Sequence, residues 1–220
     1  MLKISVARRL SVPWLAAAEL VRKTYARTYE AQVMPDPDRF IVGHLEGAVI
    51  ACAGIAYANG GSFFSERYLD APIDTVLEQR FGAPVDRDRV IEIGALASCC
   101  RGSGQEMIKI TPLIAWTLGV EYILCTATSG LRDALDSAGI DFTPLGDAAP
   151  DGLEPGERLA WGSYYEQQPQ VGVIPLRVLS PLFAEATGRY TFLDPEVTLL
   201  MPRQAPGDGL LSREASRAGR

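Results

Sequence analysis

Apolar residues recur at helical intervals between Ser11 and Gln32, at Trp14, Ala17, Ala18, Val21, Tyr25 and Tyr29. That spacing predicts an amphipathic helix, with Ser11 as its N-cap, Pro13 in its first turn, and Pro35 and Pro37 beyond its end. The period then changes. From Phe40 to Tyr57 two β-branched runs flank Leu45-Glu46-Gly47, which reads as a β-hairpin turning on the glycine. Its second arm is apolar on both faces and belongs inside a sheet. Helical spacing returns over Pro72 to Phe81, after a mixed segment from Phe63. Val90 to Ser98 reads as a strand and Ser103 to Leu118 as a helix that Pro112 should kink or weaken. Glu121 to Thr128 is a buried strand, and Ser129 opens a helix ending at Gly139. Residues 141–160 read as loop, and Trp161 to Leu176 as two short strand-like runs broken at Pro169. A short helix near Pro181 to Thr187, a strand at Val197 to Met201 and a polar tail from Arg203 complete the prediction.

This order describes an α/β (α+β) domain over residues 1–202, with residues 203–220 as a disordered tail. The formal charge of −6 and the pI of about 4.9 provide no basic field for nucleic acid. The longest nearly apolar run, Ala48 to Ala58, falls far short of the roughly 20 residues a membrane-spanning helix needs. The N-terminal segment lacks the apolar core of a secretory leader, and the four cysteines do not form a disulfide framework, so a cytoplasmic location is expected. His44 is the single histidine and reads as exposed and inert; no metal site is expected.

Chemistry concentrates where a strand runs through Cys99-Cys100 into Arg101-Gly102-Ser103-Gly104 and then a helix. Glycines let backbone amides approach an anion, and the first amides of a helix have no internal partner. With the helix dipole and Arg101 they form a phosphate or pyrophosphate cradle; the alternative is a tight turn without a ligand. Cys99 and Cys100 lie beside that positive end, where a lowered thiol pKa and an acyl-cysteine step are conceivable.

Strand, Arg-x-x-Gly turn, helix, strand, helix is also the order of the acetyltransferase-like (GNAT) core, which the chain resembles. The resemblance implies a central mixed, twisted sheet flanked by helices. It also implies acyl-CoA as co-substrate, with no tightly bound cofactor and its pyrophosphate at Arg101, Gly102, Ser103 and Gly104. A splayed strand edge at Leu96, Ala97 and Ser98 would then hold the pantetheine amides. Two positions depart from the family pattern: Glu106 replaces a small residue of the cradle, and Leu135 stands where many such enzymes carry a proton-donating tyrosine. A closer resemblance is to the thermostable-haemolysin family, similar in its core to acyl-homoserine-lactone (autoinducer) synthases. It is carried by Phe64-Ser-Glu-Arg-Tyr-Leu-Asp-Ala-Pro-Ile-Asp, Val90-Ile-Glu-Ile-Gly-Ala-Leu-Ala, Thr126-Ala-Thr with Leu131-Arg132, and Trp161-Gly-Ser-Tyr-Tyr-Glu.

Glu92 lies within an apolar strand, sharing a face with Gly94, Leu96 and Ser98 under strict alternation. A buried carboxyl is pushed upward in pKa, which suits a general base; the alternative is a structural ion pair with Arg67 or Arg132. In the resembled lactone synthases a glutamate at this place sits near the acyl acceptor. Glu66 and Arg67, with Asp70, are candidates to hold the amino and carboxylate groups of an amino-acid-like acceptor, or are solvated loop charges. Trp161, Tyr164, Tyr165 and Glu166 cluster, with Tyr164 or Tyr165 as donor to a leaving thiolate or as core packing. Thr126 and Thr128 end the second core strand, either lining the acyl channel or present simply as β-formers.

The reading is therefore an acyltransferase. It moves an acyl group from acyl-CoA or an acyl-carrier protein to an amine or amino-acid-like acceptor, giving a product of signal or secondary-metabolite type. The alternatives are a membrane-active haemolysin, as the family name suggests, and a catalytically degenerate protein that binds acyl thioesters.

Overall fold

In the computed structural model, residues 2–179 and 191–192 are described. The strands are β1 (Lys3–Arg8), β2 (Arg39–Leu45), β3 (Ala48–Tyr57), β4 (Val90–Ser98), β5 (Tyr122–Ala127), β6 (Thr143–Asp147), β7 (Gln170–Pro175) and β8 (Thr191–Phe192). The helices are α1 (Val12–Tyr29), α2 (Ile73–Phe81), α3 (Ser103–Thr117), α4 (Ser129–Ser137) and α5 (Pro155–Ala160). One mixed sheet takes all eight strands in the order β6-β7-β5-β4-β3-β2-β1-β8. β1 to β4 form an antiparallel meander, and β4 and β5 run parallel.

Alternation along the strands sorts the core into two layers. Ile41, Ala51, Ala53, Ile91, Ile123 and Cys125 face α3 and α4. Phe40, Val42, Cys52 and Ala97 face α1, which covers them with Trp14, Ala17 and Val21. Farther along that second face, Val90, Tyr122, Leu124 and Val173 receive Ile73 and Leu77 of α2. Each of these side chains is buried, and burying one such aliphatic side chain contributes about 1.5–3 kcal/mol.

The expected hairpin, the helices at α1 to α4 and the strands at β4 and β5 are present within a few residues of their predicted bounds. β1 was not expected; it is short, charged at both ends, and takes its place by pairing with β2. The stretch 141–160 is not loop alone, since it contains β6 and α5. The first strand-like run expected after Trp161 is instead a 3₁₀ turn, Tyr164–Gln167, and only β7 pairs. Pro112 does not end α3, which continues for another turn to Thr117. His44 is half-buried rather than exposed, with Nε2 2.8 Å from Ser5 Oγ on β1. The elements expected at 181–187 and 197–201 and the tail from 203 lie outside the described residues.

Candidate functional site

Two features open the sheet at β4. Its ladder with β5 joins Val90 to Tyr122, Ile91 to Ile123 and Glu92 to Leu124, and goes no farther although both strands do. On its other edge, the register with β3 shifts between Cys52–Ala97 and Gly54–Gly94, so two residues of β4 face one of β3. Ala95, with φ 49°, makes this bulge in the left-handed region that β-carbon sterics disfavour. The extra residue reverses the facing of everything after it. Glu92 and Ala97 therefore belong to the α1 face, while Leu96 packs with the α3 layer. The alternation that would have put Leu96 and Ser98 on the face of Glu92 is broken at the bulge.

Glu92 is 8% exposed. Its carboxylate accepts from the Phe64 amide at 2.7 Å, the Ser65 amide at 3.1 Å and the Ser65 hydroxyl at 2.5 Å. Ser65 Oγ also lies 2.8 Å from Thr126 Oγ1. Burial drives the carboxyl above the usual carboxylate range, and these donors recover only part of the shift. Glu92 thus has neither Arg67 nor Arg132 as an ion-pair partner. Arg67 bonds Glu157 at 2.8 Å, and Arg132 donates to the carbonyls of Ala127 and Gln168. The turn Phe64–Tyr68 that holds Glu92 is itself anchored by Glu66. Burial would raise the Glu66 pKa, but Arg87 and the amides of Ile73 and Phe63 hold it below its ordinary value. All the acceptor capacity of Glu66 is turned inward, and Arg87 also bonds Asp74 at 2.8 Å.

Two cavities meet at the bulge. One, of about 130 Å³, fills the gap between β4 and β5. It is lined on the α3 and α4 side by Ile108, Thr111, Pro112, Leu131 and Leu135, and closed by Tyr25, Tyr29, Thr126 and Tyr164. The other, of about 310 Å³, lies on the α1 face and has Glu92 in its wall with Tyr25, Phe64 and Trp161. Tyr25, Gly94 and Ala95 line both. Pro112 takes part in the first wall; lacking an amide hydrogen, it leaves the Ile108 carbonyl without its helical partner there.

Tyr164 lines the first cavity and donates to the Thr126 carbonyl at 3.2 Å. Burial among Tyr25, Tyr29, Tyr68 and Tyr165 raises its hydroxyl pKa strongly, so it holds its proton at neutral pH. Tyr165 instead bonds Tyr68, hydroxyl to hydroxyl at 2.5 Å, outside both cavities. The Trp161–Tyr164 turn is clipped to the end of α1. The Ser163 amide donates to the Tyr29 carbonyl at 2.8 Å, and the Gln32 amide to the Ala160 carbonyl at 2.6 Å. Gly162, with φ 52°, permits this contact, because a β-carbon there would overlap the Tyr29 carbonyl.

At the far end of β4 the Arg101–Gly104 turn leads into α3, with Gly102 at φ 84° as N-cap and Arg101 exposed. The Ser103 amide bonds the Cys100 carbonyl at 3.2 Å, and the Ser103 hydroxyl donates to the same oxygen at 2.7 Å. Ser103 therefore shapes the turn from inside. The amides that follow, of Gly104 and Gln105, have no acceptor one turn back in the helix. A β-carbon on Gly104 would lie 2.9 Å from Ser98 Oγ, so the helix start rests closely on the end of β4. The groups this turn offers to an anion are those backbone amides and the exposed Arg101. Cys99 lies beside it, 3.4 Å from Cys100 sulfur to sulfur, and burial and Cys100 raise its thiol pKa. That is opposite to the lowering expected from the helix end. Ser65, Tyr25 and Tyr29 were not singled out in the sequence. Ser65 is a small hydroxyl between Phe64 and Glu66, and the two tyrosines read as ordinary helical core.

The mixed sheet, the gap between parallel strands and the glycine turn at the head of α3 define a GNAT-like acyltransferase fold. Residues 9–178, well over half the chain, match the family model described as Thermostable hemolysin, and the chain belongs to that family. Its fold is similar to that of the CoA-dependent acyl-homoserine lactone synthase BjaI in complex with SAM and isopentyl-CoA. The TM-score is 0.56 at 13% identity over 88% of this chain and 94% of BjaI. It is also similar to the AHL synthase LasI, with TM-score 0.51 and 15% identity over 80% of this chain and 90% of LasI. No curated protein sequence matches the chain.

Proposed function

We propose that the chain is an N-acyltransferase that moves an acyl group from a thioester, acyl-CoA or an acyl-carrier protein, to an amine, and that it works in the cytoplasm. The observation that carries this reading is the meeting of the two cavities at Gly94 and Ala95, with the buried Glu92 in the wall of one and Tyr164 in the wall of the other. An acyl chain suits the apolar gap between β4 and β5. The pantetheine amides suit the β4 edge at Leu96, Ala97 and Ser98, which β5 leaves unpaired. The pyrophosphate of CoA suits Arg101 and the amides at the head of α3. BjaI, similar in fold, is CoA-dependent and is seen with isopentyl-CoA, which is consistent with that placement.

Glu92 takes the proton of the bound ammonium and passes it to solvent. The freed nitrogen lone pair attacks the thioester carbonyl, forming C–N as C–S breaks. Tyr164 gives its proton to the departing sulfur and is reprotonated from the nitrogen, so the products are an amide and a free thiol. Thr126 and Ser65 act by positioning Glu92, and Trp161 contributes an aromatic wall to the acceptor cavity. Glu66 and Arg67 line an outer hollow with Arg87 and not either cavity. Their role in the proposal is to hold the Phe64–Tyr68 turn.

The test is thiol release from acyl-CoA in the presence of an amine panel, with product mass as confirmation. The expected outcome is amide formation by the unaltered chain and a loss of about 100-fold or more in kcat for Glu92→Gln, in line with removal of a general base. Equal activity in Glu92→Gln would reject the assignment.

A further inference from the structure

We infer that the acceptor is an amine without a carboxylate, carried on an aromatic or aliphatic body: a decarboxylated amino acid and not an amino acid. This deepens the acyltransferase proposal and rests on it. The charges around the acceptor cavity select for it. Among the described residues its lining holds two carboxylates, Glu92 and Asp36, and no lysine, arginine or histidine. Asp36 is paired outside with Arg9, which is not itself a lining residue. Arg67, the cation expected to receive an acceptor carboxylate, lies 3.9 Å over the Phe64 ring and is committed to Glu157.

An ammonium group entering this space meets the Glu92 carboxylate and the aromatic side chains of Tyr25 and Trp161, rings of a kind that attract a cation. A carboxylate on the same molecule would be desolvated beside Glu92 with no fixed positive charge to meet it. The rest of the lining is apolar: Val21, Val33, Met34, Pro35, Pro37 and Ala56. The volume, about 310 Å³, is at the small end of ligand pockets. A ring or short alkyl chain fits that description better than a second charged end.

The experiment pairs each amine with its parent amino acid, tryptamine with tryptophan and phenethylamine with phenylalanine. Thiol release from acyl-CoA is followed with the full chain, and calorimetry measures acyl-CoA binding separately. The expected result is a kcat/KM at least ~100-fold higher for the amine of each pair, as an unpaired like charge would impose. Amino acids acylated as well as their amines would overturn the inference and leave the acyltransferase reading standing. Acyl-CoA binding with neither member of any pair acylated would overturn both. Met34→Arg places a cation at the rim on a residue that is 78% exposed. It should narrow the preference by roughly 10-fold, whereas an unchanged preference in this variant would also overturn the inference.

Discussion

Glu92 is subject to two opposing effects. Burial favours its neutral form, and the donors from Phe64 and Ser65 favour its charged form, with burial the larger. A folded-state pKa above the unfolded one means that folding stability falls as pH rises between the two values, because ionisation is costlier in the fold. On the proposed mechanism activity runs the other way, since the base must be ionised, so the acidic limb of kcat/KM should lie above the ordinary glutamate value of about 4.3. Ser65→Ala removes the 2.5 Å donor to Glu92. It should move that limb to still higher pH and reduce stability by about 1.5–3 kcal/mol. A pH–rate profile beside a denaturant titration measures both, and an unmoved limb would mean that Ser65 does not tune Glu92. Little of this partnership was legible in the sequence. A glutamate in an apolar strand announces itself, but its partner is 27 residues away on a turn whose serine carries no periodic signal.

At the scale of elements, the turn into α3 separates packing from binding. Gly104→Ala brings a β-carbon against a hydroxyl that can rotate away. Its strain, about 0.5–1.5 kcal/mol, is offset by a helix preference of about 1 kcal/mol over glycine. Thermal unfolding should therefore change little. Gly104→Asp should fold as well but bind CoA at least ~10-fold more weakly, because its carboxylate repels the pyrophosphate. Calorimetry that found the two variants alike would remove the turn from the site. Gly162→Ala is a different case, since the obstructing atom is the backbone oxygen of Tyr29. A loss of about 1–3 kcal/mol is expected in a denaturant midpoint, with the Trp161–Tyr164 turn lifted from α1. The long periodic elements could be read because they bury one face on their own. β1, β6 and α5 could not, because each is short and acquires its form from neighbours distant in sequence. The bulge at Ala95 was hidden for a related reason: one inserted residue changes no composition, yet it reverses the facing of all that follows.

For the whole molecule, the two cavities share Tyr25, Gly94 and Ala95 beside the gap that β4 and β5 leave open, and the proposed function assigns one to the donor and the other to the acceptor. On the proposed function, the acyl chain enters from the side of α3 and α4 and the amine from the side of α1. Among the described residues no helix is long and apolar enough to cross a membrane, so the haemolysin in the family's name finds no helical membrane-spanning element there. The most direct test of the account is a thermal-shift titration of the chain with acyl-CoA and acyl-pantetheine of increasing chain length, since a ligand of the folded state raises its melting temperature. The account predicts a rise with both that grows with acyl length until the gap between β4 and β5 is filled, and that Arg101→Ala reduces for CoA but not for pantetheine. No rise with either ligand at any length would contradict the assignment of that gap to an acyl thioester.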